Sequence, residues 1–259
     1  MNLGTQSLRL EREGPIAWCI IDRPQARNAL TPAMYFGIKR AVRLVNTDPE
    51  LRALIITGSG DVFAPGGDLG GRYEPGDERV PEGLTHETLP FIAIRESTAP
   101  VIAAVNGICQ AGGLLIAMMS DIAVVSERAI FRVPELLRGI VDSTYAATLP
   151  AHVGLAVARD LLLSARTIDA REAQRIGLVS RIVPHEELRS AALQAAREVL
   201  QTAPEARAHV KRMLNEQYGT IDYQTMFWSL QNSPEPREGM RAFMEKRQPN
   251  WIPEGLPEG

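Results

Sequence analysis

The sequence predicts an α/β fold that carries a helical C-terminal segment. Three observations predict it. Short apolar runs alternate with helical patterns as far as about Val183; from His185 onward nearly every segment is helical; and two of the apolar runs end in glycine-bearing loops. A chain of 259 residues can bury a substantial core, and it suits one large domain or one domain with an appended helical piece.

Ser7 to Arg12 alternates apolar and polar residues as an edge strand does, Gly14-Pro15 turns the chain, and Ile16 to Asp22 forms a more buried partner strand. After Arg23-Pro24 the chain leaves the sheet. Thr31-Pro32 starts a helix with a capping hydroxyl and a proline at the first helical position, and Met34, Ile38, Ala41, Val42 and Val45 give its buried stripe. Ala53 to Thr57 is a short apolar strand that ends in GSGDVFAPGGDL. Gly70 to Leu84 is charged and rich in Gly and Pro, which predicts a surface loop or lid, and Thr88 to Glu96 is helical. Ala99 to Asp121 reads as buried strand (Val101–Val105), polar turn at Asn106-Gly107, the glycine turn Ala111-Gly112-Gly113 and a buried helix. Ile122 to Val125 and Ala129 to Phe131 are further strands, and PELLRG is a short helix from Pro134 closed by Gly139. Helices over Ser143–Leu149 and Leu155–Ser164, a helix capped by Asp169 and a strand over Leu178–Val183 complete the α/β part. Helices follow over Glu187–Gln201, Pro204–Glu216, Tyr223–Leu230 and Arg237–Lys246.

With 28 basic and 31 acidic residues the formal charge is −3, which predicts no general attraction to nucleic acid or to an anionic membrane. Small molecules and copies of the same chain are the expected partners. Cys19 and Cys109 have no CxxC spacing, so neither a disulfide framework nor a zinc site is expected, and none of the four histidines has metal-ligand spacing with another. The opening MNLGTQSLRLEREG lacks an apolar signal core and no apolar run reaches membrane-spanning length, so a cytoplasmic protein is expected.

Two strands ending in Ala64-Pro65-Gly66-Gly67-Asp68 and Ala111-Gly112-Gly113 bring two sets of backbone N–H groups near each other if the strands are neighbours. Glycine at a helix start lets those donors approach a ligand, and the first turn of a helix carries a partial positive charge. Such a site can hold an oxygen that becomes negative during a reaction. The alternative is that these glycines serve close helix–sheet packing. Neither segment fits a P-loop or a GxGxxG fingerprint.

Together GSGDVFAPGGDL, PVIAAVNGICQAGGLLIAMMSDIAVVSERAIF, PELLRGI, AREAQRIGLVSRIVP and EGMRAFMEKRQP resemble the crotonase superfamily, the enoyl-CoA hydratases and isomerases, from about Leu10 to Trp251. The resemblance implies a crotonase-like spiral of ββα units over residues 1–200, with a C-terminal helical trimerisation region over 201–259. It implies an acyl-CoA thioester as substrate, coenzyme A entering as part of that substrate rather than as a cofactor, no metal, and a homotrimer or homohexamer. By position, Gly67 and Gly112 match the two donors of the family's oxyanion hole and Glu135 its acid/base. Gln25, Ala26 and Arg27 match the loop that touches CoA, and Phe243 and Lys246 match C-terminal positions that reach it. Ala64, Gly66, Asp68, Leu69, Leu115 and Pro134 are the further residues expected against substrate. Asp68 reads as a loop-fixing residue through backbone N–H groups.

The sequence departs from the hydratase pattern at one decisive place. Hydratases carry two glutamates, and here the first position is Leu115 while the second is Glu135. Holding and splitting water between two carboxylates is closed to a leucine. A single glutamate suffices for moving a double bond, so isomerisation ranks first, ahead of hydration by an atypical site and of hydrolysis or dehalogenation through Asp142. A non-catalytic acyl-CoA binding protein is a further alternative. Asp142 is open to two readings: a second acid, as in dienoyl-CoA isomerases, or the N-cap of the helix that begins at Ser143.

Overall fold

The computed structural model describes residues 2–71, 73–80, 89–219 and 221–252. His86 and the end of the Gly70–Leu84 loop fall outside them. The chain opens with β1 (Leu8–Glu13) and β2 (Ile16–Ile21), followed by α1 (Pro32–Thr47). It then runs through β3 (Ala53–Gly58), β4 (Val62–Ala64), α2 (Phe91–Arg95), β5 (Val101–Val105), β6 (Ile108–Gln110), α3 (Gly112–Met119), β7 (Ile122–Ser126) and β8 (Ile130–Arg132). A 3-10 turn over Glu135–Arg138 leads to α4 (Ser143–Val153), α5 (Leu155–Ser164), β9 (Ile168–Asp169), α6 (Ala170–Arg175) and β10 (Arg181–Val183). The C-terminal part is α7 (Leu188–Leu200), α8 (Pro204–Asn215), α9 (Tyr223–Asn232) and α10 (Glu235–Glu245).

Two sheets rise in step. The larger has the order β1-β2-β3-β5-β7-β10 and the smaller β4-β6-β8-β9. β3, β5, β7 and β10 are mutually parallel in the first, and β4, β6 and β8 are mutually parallel in the second. The strand pairs β3-β4, β5-β6 and β7-β8 each give one strand to each sheet before a helix, which is the spiral of ββα units the resemblance implies. Both faces of the larger sheet are covered, as a parallel sheet requires. Ile16, Trp18, Ile20, Ile55 and Ile102 face α7, while Ala17, Cys19, Ile21, Ile56 and Ala103 face the main core with α1 and α3, a clean period of two.

Three expectations need correction. β4 and β6 lie inside segments read as loops, so the glycine turns follow the strands of the smaller sheet rather than β3 and β5 directly. Three residues are too few to show an alternating pattern. The helix over Ser143–Leu149 runs on to Val153 through Pro150, and the PELLRG segment is 3-10 rather than α-helical. No helix among the described residues is long and apolar enough to cross a membrane.

Candidate active site

A cleft of about 680 Å³ opens where the two glycine turns, the 3-10 turn, the start of α4 and the C-terminal helices meet. Gly67 enters it through an isolated parallel bridge with Leu30: Leu30 donates its N–H to Gly66 O and Asp68 donates its own to Leu30 O, each at 2.8 Å. In such a bridge the bracketed residue turns its own N–H away from the partner strand, and among the described residues the Gly67 N–H has no acceptor. Gly66 is held at φ +112°, and a Cβ there would lie 3.5 Å from the nitrogen of Gly112 and 2.5 Å from the Cβ of Ala111. The two glycine turns are thus in direct contact.

Gly112 is the first residue of α3, and its N–H is one of the first-turn donors that no helical carbonyl reaches. The preceding Ala111 stands at φ +48°, ψ −130°, a conformation that costs a non-glycine residue on the order of 1–3 kcal/mol. Three bonds hold it there. Ala111 N–H donates to Arg132 O at 3.2 Å, and Ala111 O accepts from Leu115 N–H at 3.1 Å and from the Tyr145 hydroxyl at 2.6 Å.

Glu135 begins the 3-10 turn, and its side chain is buried with Oε2 lacking a partner among the described residues. Burial first, and the negative charge of Asp142 second, push its pKa up to about 8. Leu115, on the first turn of α3, contributes apolar wall to the same cleft. Asp142 caps α4: its Oδ1 accepts from Thr144 N–H at 2.9 Å and Tyr145 N–H at 3.2 Å. It also lines the cleft, and burial raises its pKa.

Ala26, Asp68, Leu69, Pro134 and Phe243 line the cleft as well. Gln25 and Arg27 stand exposed on the turn that follows β2, Ala64 is buried beneath the loop, Gly66 backs Gly67, and Lys246 is exposed at the end of α10; none of these five forms the cleft wall. Asp68 accepts from Gly70 N–H at 2.8 Å through Oδ1, and its other oxygen takes a cation that the sequence reading passed over. That cation is Arg23, only 3 % exposed, which bonds Asp68 at 2.7 Å, Glu74 at 2.6 Å and Ala29 O at 3.0 Å. It ties the end of β2 to the Gly67 turn, and the only signal for it was a cation placed directly after an apolar strand. Tyr35 and Tyr145 were also passed over. His152 bonds backbone carbonyls and stacks on Tyr218, away from the cleft. Among the described residues no group of three His, Cys, Asp or Glu side chains is placed to hold a metal ion.

Comparison with known proteins agrees with this architecture. The family model described as enoyl-CoA hydratase/isomerase matches residues 11–254. A carnitinyl-CoA dehydratase of Salmonella arizonae is 36% identical over 262 residues, covering 95% of this chain and 98% of that protein. A probable enoyl-CoA hydratase of Mycobacterium tuberculosis is 33% identical over 95% of this chain and 98% of its own length. Among solved structures, an enoyl-CoA hydratase/isomerase from Pseudoalteromonas atlantica superposes with a TM-score of 0.82 at 31% identity, covering 95% of this chain and 100% of that one. A monofunctional enoyl-CoA isomerase from M. smegmatis superposes with a TM-score of 0.67 at 28% identity, covering 82% and 93%. With its family model spanning nearly the whole chain and its spiral shared with these structures, the protein belongs to the enoyl-CoA hydratase/isomerase family of the crotonase superfamily and is an acyl-CoA enzyme.

Proposed function

We propose that the enzyme moves the double bond of an enoyl-CoA thioester, with Glu135 as the single acid/base and the N–H groups of Gly67 and Gly112 as the donors that hold the thioester oxygen. One observation carries the reading: Glu135 presents a buried carboxyl with one oxygen, Oε2, unpartnered among the described residues and a pKa pushed up to about 8, while Leu115 of α3 lines the same cleft. A carboxylate in that state is a competent base near neutral pH. It takes the proton from C2 of a 3-enoyl thioester, the electrons move onto the thioester oxygen to give a dienolate, and the same carboxyl returns the proton at C4, leaving the double bond between C2 and C3. A preorganised donor to such an oxygen is worth about 3 kcal/mol. Coenzyme A enters as part of the substrate. Residues 201–259 supply the interface of a trimer or hexamer, a role that the exposed Val210, Met213 and Leu214 of α8 support.

Hydration or dehydration through Glu135 and Asp142 is the second reading, favoured by the presence of both carboxyls in one cleft. Incubation with 2-enoyl-, 3-enoyl- and dienoyl-CoA esters separates the two. Unchanged mass with shifted absorbance marks isomerisation, and gain or loss of one water marks the second reading. Glu135→Gln is expected to lower turnover by about 10²–10⁴-fold while acyl-CoA still binds. Turnover retained in that variant removes Glu135 from the mechanism.

A further inference from the structure

The reading above leaves the phenol of Tyr35 without a task, although α1 delivers it into the cleft between the two glycine turns. The residue is 4 % exposed, with its ring edge-on to Phe91 at a centroid distance of 6.0 Å. Its hydroxyl lies 3.6 Å from where a Cβ of Gly67 would stand, and a Cβ on Gly112 would collide with it. Among the described residues that hydroxyl bonds to nothing, whereas the other buried phenol beside the site, Tyr145, bonds Ala111 O. With its ring buried and the residue lining the cleft, the phenol is placed to donate to an acceptor that a ligand brings there. Burial, with the charges of Glu135 and Asp142 nearby, pushes its pKa well above the ordinary tyrosine range. It therefore stays protonated and can only donate to an anion.

We propose that the Tyr35 hydroxyl is a third hydrogen-bond donor to the thioester oxygen, beside the N–H groups of Gly67 and Gly112. This rests on the enolate reading of the same cleft. It gives Gly112 a second requirement besides its free N–H, because any side chain there would displace the phenol from the donor cluster. Charge on the thioester oxygen grows as the C2 proton leaves, so a donor aimed at it acts on turnover more than on substrate binding. If the ring served packing alone, phenylalanine would replace it without loss.

The test uses a dimethylaminocinnamoyl-CoA thioester, whose absorption moves to longer wavelength as donors draw electron density onto its carbonyl. The expected result is a red shift on binding the unmodified enzyme and a smaller shift on binding Tyr35→Phe at similar affinity. With the enoyl-CoA substrate, kcat of the variant falls by about 10–100-fold while KM changes little. Equal shifts and equal kcat in the two proteins overturn the third donor and leave the two-glycine reading standing. No shift in the unmodified enzyme overturns that reading and the third donor with it. Site-specific 3-fluorotyrosine at position 35 keeps the shape of the side chain and makes the hydroxyl a stronger donor, so it is expected to enlarge the shift; an unchanged shift overturns the proposal even if Tyr35→Phe fails to fold.

Discussion

At the scale of single residues, the charge of Asp142 bears on the protonation of Glu135. Glu135 carries a pKa of about 8 through burial and then through the charge of Asp142. Its base form predominates above that value and is a minor fraction at neutral pH, so kcat/KM is expected to rise with pH through a midpoint near 8. Stability runs the other way. A carboxyl whose folded pKa lies above its unfolded value holds a proton that the unfolded chain has released, so its contribution falls as pH rises from the ordinary glutamate range to about 8. Asp142→Asn separates cap from charge: asparagine caps a helix about as well as aspartate, so Tm is expected to hold within a few degrees. Removing the neighbouring charge lowers the Glu135 pKa, and the midpoint of the pH–rate profile moves to lower pH. An unmoved midpoint would show that the two carboxyls do not interact, and complete loss of turnover with the fold intact would promote Asp142 to a second acid. That Gly67, Gly112 and Glu135 meet in one cleft follows from the motifs that carry the family resemblance, two glycine turns and a proline-led short helix. Arg23 and Tyr35 were not readable in the sequence, since the partners that define them lie more than thirty residues away along the chain.

At the scale of elements, α4 is what fixes the start of α3. Asp142 caps α4, and three residues later Tyr145 reaches back to Ala111 O at 2.6 Å, holding a peptide unit whose φ of +48° an alanine adopts only under constraint. That same peptide unit carries the Gly112 N–H. Tyr145→Phe deletes one buried hydrogen bond, at a cost of about 1 kcal/mol, and lets the turn relax. The expected outcome is a fall in Tm of about 2–4 °C together with a larger proportional loss of kcat than of substrate affinity, measured by thermal melting and steady-state kinetics. A fall in Tm with kcat unchanged would mean that the clamp serves stability alone. The capping residues of α1 and α4, Thr31 and Asp142, were legible because N-caps are local chemistry. The three-residue strands β4 and β6 were not, because their pairing, β4 on β6 and β6 on β8, is decided by register within the second sheet and not by any pattern within three residues.

At the scale of the whole molecule, the spiral builds the floor of the cleft and the C-terminal helices close one side of it. α10 packs directly on the turn that begins with Glu135, and small residues make this possible at two points. A Cβ on Gly239 would run into the backbone of Arg138, and Gly139, at φ +65°, would meet the backbone of Glu235 at 2.6 Å. The guanidinium of Arg138 in turn lies over the ring of Phe243, 4.8 Å from its centroid, so the wall of the cleft and the turn that carries the base are one packed unit. The alternation of strands and helices announced the spiral, but the return of α10 onto a turn a hundred residues earlier has no local signature. Gly239→Val tests its consequence. The added side chain forces α10 off the turn while leaving the two sheets and α7 untouched, so the spiral is expected to melt close to its normal temperature. Phe243 and Met244 then withdraw from the cleft, and KM for acyl-CoA rises about tenfold, which corresponds to about 1.4 kcal/mol of lost contact. Because Glu135 sits at the other end of the same turn, its carboxyl becomes more hydrated and its pKa drops toward the ordinary range. The pH–rate midpoint is therefore expected to fall together with the rise in KM. A rise in KM with the midpoint unmoved would mean that α10 shapes the substrate wall without sealing the base from water.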